Sequence, residues 1–134
     1  ESPGAAWGLA GRSWALCGLI DDDNHSKRPV FYTYKLLIRK IGAFSSVEKL
    51  AIRPGFNAYK FIVKGKPVYV MWYDSGVAQA PHQSKSIGID LSLIVGKEEI
   101  RVTPIVTSRG QADFQENTSI SRNIELTETP IFIE

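Results

Sequence analysis

The sequence predicts a mostly β fold: an antiparallel β-sandwich preceded by one amphipathic α-helix. Three observations predict it. Apolar residues recur at steps of three and four over one stretch only, residues 29–41. Beyond Gly42 the period falls to two, in short segments rich in β-branched and aromatic residues. Between those segments stand turn signals, among them Arg53-Pro54-Gly55, Gly65-Lys66, Asp74-Ser75-Gly76 and Gly96-Lys97. About seven short strands so punctuated argue for a sandwich.

Composition sets the outer limits. With 134 residues, 43% hydrophobic and 22% charged, the chain has the make-up of one globular unit with a short piece of a neighbour attached. A chain of this size buries roughly two thirds of its unfolded surface, enough for a core without disulfides or a metal. The sixteen basic and fourteen acidic residues are interspersed and leave a net charge of +2, so no basic stripe is present to displace counterions from a phosphate backbone. Nucleic acid is not an expected partner. Cys17 is the single cysteine, which excludes an internal disulfide. No apolar run approaches the ~20 residues of a membrane helix, so a membrane is not expected either.

Taken in chain order, residues 1–26 read as irregular, because Pro3, Gly4, Gly8, Gly11 and Gly18 break any period. Trp7, Leu9, Trp14, Leu16, Leu19 and Ile20 make this segment too apolar for a free tail, so it is expected to lie against something. Residues 21–26 form a polar loop, and Pro29 suits the first turn of a helix. In that helix Val30, Phe31, Tyr34, Leu37, Ile38 and Ile41 share one broad face, with Lys35, Arg39 and Lys40 mostly off it and Gly42 as terminator. Such a face must be covered, and the sheet to follow is small. The opening Glu1-Ser-Pro-Gly-Ala-Ala-Trp7 is loop-like and lacks an initiator Met, so the expectation is that a larger body upstream covers the helix.

The β part begins with a strand over 46–52. A hairpin follows, with Tyr59, Phe61 and Val63 alternating on one side, Gly65-Lys66 as the turn, and Val68, Val70 and Trp72 alternating back. Residues 77–85 read as a polar loop. Residues 87–95 carry Ile87, Ile89, Leu91 and Leu93 at period two and read as one strand. Residues 99–107 continue the pattern, with Pro104 marking an edge or a bulge. Residues 111–119 read as a loop, and 120–126 and 129–133 as the closing strands.

The residues also carry a resemblance. The run Trp14-Ala-Leu-Cys-Gly-Leu-Ile-Asp21, followed by Lys27-Arg-Pro-Val-Phe-Tyr-Thr-Tyr-Lys-Leu-Leu37, resembles the closing stretch of a (β/α)8-barrel glycoside hydrolase of the β-xylosidase and endoglucanase kind. The segment Asn57-Ala-Tyr-Lys-Phe-Ile-Val-Lys-Gly-Lys-Pro-Val-Tyr-Val-Met-Trp72 is similar to a hairpin of the β-sandwich that follows such barrels, and Glu125-Leu-Thr-Glu-Thr-Pro-Ile-Phe-Ile133 to its closing strand. The resemblance implies that residues 1–44 are the last loop and helix of an upstream barrel and residues 45–134 an accessory β-sandwich domain. It implies an O-glycosyl hydrolase as parent, with its catalytic carboxylates on earlier barrel strands. No catalytic residue is carried onto this chain, and no cofactor or metal is expected.

Each candidate site has a plainer reading beside it. Retaining glycoside hydrolysis needs two carboxyl groups about 5 Å apart, whereas the adjacent Glu98 and Glu99 point to opposite sides of an extended chain. The run Asp21-Asp22-Asp23-Asn24-His25 offers hard oxygen donors but lacks the central Gly and distant Glu of a calcium loop. Under the resemblance Asp21 lies at the barrel mouth, within reach of a sugar. Trp7 and Trp14, on loop-like sequence, are the aromatic candidates for sugar stacking, while Trp72 is in phase with Val68 and Val70 and reads as core. Three functions are weighed: a region that packs on and stabilises a catalytic barrel, a carbohydrate-binding sandwich module using exposed aromatics, and a purely structural domain in an assembly. The one-sided helix favours the first.

Overall fold

The computed structural model describes residues 18–21, 24–77, 83, 85–96, 99–107, 116–119 and 122–134. Trp7, Trp14, Cys17, His82 and Glu98 lie outside the described residues. Helix α1 spans Pro29–Ile41, as the 3.6-residue period requires, with Pro29 in its first turn and Arg28 in extended conformation before it. At its end the Gly42 N–H donates to Ile38 O at 2.9 Å. Gly42 is not in the left-handed region, having φ −59°; what excludes a side chain is space, since a Cβ would lie 2.3 Å from Ile38 O.

Eight strands are described: β1 (Phe44–Leu50), β2 (Phe56–Val63), β3 (Lys66–Tyr73), β4 (Ile87–Asp90), β5 (Ile100–Pro104), β6 (Asn117–Ser119), β7 (Asn123–Leu126) and β8 (Ile131–Ile133). A six-stranded sheet runs in the order β1-β2-β3-β8-β5-β6, and β4 pairs with β7 in a second sheet. Every pairing is antiparallel. The fold is therefore mostly β with one helix, in line with the sequence.

Two layers cover the six-stranded sheet. On one face Phe56, Ala58, Tyr69, Met71, Ile100 and Ile133 meet Ile89 and Leu126 of the small sheet, closed by Leu91 and Val95. The Tyr69 hydroxyl, carried into this core, donates to Ile94 O at 3.2 Å and so is not left unsatisfied. On the other face Val68 and Phe132 meet Leu36 of α1, with Phe61, Val63, Val70, Ile41 and Ile105 around them. Because both faces are covered, both phases of the hairpin are apolar. The side expected to be core, Tyr59, Phe61 and Val63, faces the helix layer, while Ala58, Tyr69 and Met71 are the more deeply buried set.

Several boundaries move for local reasons. The hairpin turn is Lys64-Gly65, not Gly65-Lys66: φ is 51° at Lys64 and 78° at Gly65, the pair of positive values that a two-residue turn matched to strand twist demands. Residues 87–95 are not one strand. Asp90 accepts a hydrogen bond from Ser92 N at 2.8 Å and opens a short 3-10 turn, Leu91–Leu93, which drives Leu91 into the core. Pro104 ends β5, paired with Ile131 of β8 but beyond the last described pair with β6, Val102 with Asn117, an edge-like place where a residue without an N–H is tolerated. Asn117–Ser119, expected in a loop, pairs with β5, and β8, the end of the chain, runs between β3 and β5.

Candidate functional site

The helix meets the sheet chiefly through Leu36, a residue the sequence reading left off the apolar face. Leu36 is fully buried and Lys40 is 6% exposed, whereas Ile38, Tyr34, Leu37 and Val30 are 63%, 57%, 44% and 43% exposed. At 3.6 residues per turn Ile38 lies about 200° around the axis from Leu36. The sheet thus takes the Leu36 side, with Ile41 packed beside it, while Val30, Tyr34, Leu37 and Ile38 stand exposed. Sequence reasoning passed over Leu36 because a helix apolar on more than half its circumference does not announce which part faces inward.

Two concave regions adjoin the helix, one on its exposed side and one at its seam with the sheet. The first, of about 460 Å³, is formed by Leu19, Phe31, Tyr34 and Ile38, with Lys35 and Arg39 as its polar members. The second, of about 500 Å³, runs from Ile38 and Ala43 to Val63 and Pro67, bordered by Arg39, Lys64 and Lys66. Ile38 and Arg39 border both. Phe44 and Val47, at the exposed end of the sheet, are 49% and 50% exposed and extend the apolar surface.

Between helix and sheet Lys40 carries a buried charge. Its ammonium donates to Glu116 Oε1 at 2.7 Å and to Glu134 Oε2. Arg101 Nη1 lies 3.6 Å from Glu116 Oε2, and the backbones of Arg101 and Glu134 exchange hydrogen bonds of 2.9 and 3.0 Å. The Lys40 hydrogen bond holds the Glu116 carboxyl below the usual glutamate range, against a smaller opposing push from burial. Asp90 is likewise held low by its bonds to Ser92. A general acid in glycoside hydrolysis needs the opposite, a carboxyl raised by its surroundings. These carboxylates tie elements together; they are not poised to give up protons near neutrality.

Of the sequence-derived sugar candidates only Asp21 is among the described residues. Trp7 and Trp14 lie outside them. The Asp21 carboxylate is 3.9 Å from Arg28 Nε, both side chains largely buried, while Asp21 N donates to Ser26 O at 2.8 Å and Arg28 N to Leu19 O at 3.0 Å. Asp21 closes the loop that leads into the helix. Asp22 and Asp23 are outside the described residues, and among the described residues no three His, Cys, Asp or Glu side chains gather in a metal-binding group. Trp72 is partly buried on the helix side of the sheet and stacks on Tyr59, 5.7 Å between centroids and 11° between planes, so one indole face is already occupied. At its end of the sheet Trp72, Tyr73, Asp74 and Glu128 border a shallow cleft of about 420 Å³. No described helix is long and apolar enough to cross a membrane.

Comparison of the chain with protein-family models, with curated proteins and with solved structures gave no match. What the site offers is therefore argued from its residues. The described residues present an apolar surface edged by cations on one side of α1.

Proposed function

We propose that this chain is the C-terminal region of a glycoside hydrolase: the last loop and helix of a (β/α)8 barrel joined to an accessory β-sandwich that packs on the barrel and stabilises it. The observation that carries the reading is the outward face of α1, where Val30, Tyr34, Leu37 and Ile38 stand exposed next to one another. Contiguous apolar patches of this kind mark interaction surfaces, and a barrel helix is flanked by its neighbours in the ring. The motif resemblance around Asp21, Lys27 and Trp72 supplies the kind of neighbour. The carbohydrate-binding alternative rests on Trp7 and Trp14, which lie outside the described residues.

The test compares the purified 134-residue chain with the longer product encoded by the genomic sequence upstream of Glu1. The longer product is expected to hydrolyse aryl glycosides and the isolated chain to leave them intact. Hydrolysis by the isolated chain, or an upstream sequence with no barrel-like alternation of strands and helices, overturns the reading.

A further inference from the structure

We infer that Lys40 pins α1 to the sheet as an acid-sensitive latch: neutralising the two carboxylates that hold it frees the helix while both sheets stay folded. The latch lies between helix and sheet and is independent of what covers the exposed side of α1. Lys40 is buried in the last turn of the helix, and its ammonium donates to Glu116 Oε1 at 2.7 Å and to Glu134 Oε2. Glu116 immediately precedes β6 and Glu134 immediately follows β8, so one cation ties the helix to two separate strands of the six-stranded sheet. The apolar contact described at this joint is Leu36 on Val68 and Phe132, with Ile41 among the partly buried residues around them. The core between the two sheets, by contrast, has ten buried residues, none of them from α1. Loss of the carboxylate charges thus falls on the helix joint and leaves the larger core in place.

The charged groups about the joint, among the described residues, come from every element packed there. Glu116 and Glu134 hold Lys40 directly; Arg101 of β5 lies 3.6 Å from Glu116 Oε2; Arg39 of α1 also favours the ionised Glu116; and Lys64 and Lys66, at the hairpin turn, border the groove that Lys40 and Glu134 share. A protonated carboxyl still accepts a hydrogen bond but no longer offsets the ammonium, and a buried charge without a counter-charge is poorly tolerated. The other groups named are cations and cannot replace what is lost. The Lys40 hydrogen bond favours the ionised Glu116 carboxylate, so the latch is closed above the ordinary glutamate range and opens as pH falls through the lower folded value.

The experiment follows hydrogen–deuterium exchange of the 134-residue chain by peptide mass spectrometry, at steps from about pH 7 to about pH 3, with rates corrected for the intrinsic pH dependence of exchange. Expected is a loss of protection of about a hundredfold over residues 29–41 at the acid end, the usual scale for a buried pair that loses one partner, while residues 56–73 and 131–133 keep theirs. Lys40→Met places an unbranched apolar side chain in the same space, so its helix should stay protected across the whole series. Glu116→Gln with Glu134→Gln should release the helix already at neutral pH. The series on the unaltered chain decides the matter even where a variant does not fold. Protection lost together over helix and sheets overturns the inference, because the joint is then no separate unit. Protection retained over residues 29–41 at the acid end, with the Lys40 side chain turned out to solvent, overturns it too, as does a folded Lys40→Met chain that follows the unaltered one.

Discussion

Lys40 shows how a residue at the margin of a pattern becomes structural. On the sequence it is one of three cations expected mostly off the apolar face; in the fold its ammonium is buried between α1 and the strand ends, held by Glu116 and Glu134. A buried ammonium is tolerated only when paired. Because the folded Glu116 carboxyl is held below its ordinary value by Lys40, the stability it contributes is fully present above that ordinary value and is lost as pH falls through the lower folded value. Thermal unfolding followed from neutral pH down through the carboxylate range should therefore show a fall in midpoint that is shallower in Glu116→Gln than in the unaltered chain. Parallel curves would show that the contact contributes nothing. Thr103 makes a second case. Its hydroxyl is buried and, among the described residues, has no hydrogen-bond partner. Replacing an unsatisfied hydroxyl with a methyl removes a desolvation cost, so Thr103→Val should raise stability by about 1 kcal/mol in urea denaturation; a loss of similar size would mean that the hydroxyl is satisfied. Neither role was legible in the sequence, since both depend on which strands come to lie beside one another.

At the scale of elements, the helix was legible in extent but not in orientation. Its bounds follow from Pro29, the apolar period and Gly42, all local signals. Its orientation follows from a contact between residues far apart in sequence, Leu36 against Val68 and Phe132. Neighbouring leucines test this directly. In the isolated chain Leu36→Ala should cost about 3 kcal/mol, the usual loss for a fully buried leucine, while Leu37→Ala should stay within about 0.5 kcal/mol, as for an exposed site. Equal costs would mean that the helix lies on the sheet in another rotation. The hairpin was legible for the same reason the helix bounds were, because alternation and a glycine turn act over a few residues. Its turn was misplaced by one position, since Lys64 adopts φ 51° despite its side chain. The Asp90 bond to Ser92 that breaks the pattern over 87–95 is also local, but period-two alternation of Ile87, Ile89, Leu91 and Leu93 outweighs it on paper.

For the whole molecule, the fold class was readable because the change of period at Gly42 and the spacing of turns are properties of sequence alone. The layering was not, because covering both faces of one sheet makes both phases of its strands apolar and removes the contrast on which an inside is told from an outside. The candidate site was half readable: the broad apolar face, and that the small sheet would not cover it, were visible, whereas Leu36 as the residue that takes the place against the sheet was not. Under the proposed function, what matters at this scale is a covering of Val30, Tyr34, Leu37 and Ile38.

That can be measured by thiol labelling of Ile38→Cys, with Cys17 resolved separately by peptide mass spectrometry, in the isolated chain and in the longer product that includes the sequence upstream of Glu1. The account predicts rapid labelling at position 38 in the isolated chain, where Ile38 is 63% exposed, and labelling slower by about tenfold or more in the longer product, where a barrel surface covers it. Equal rates in the two contexts would contradict the account.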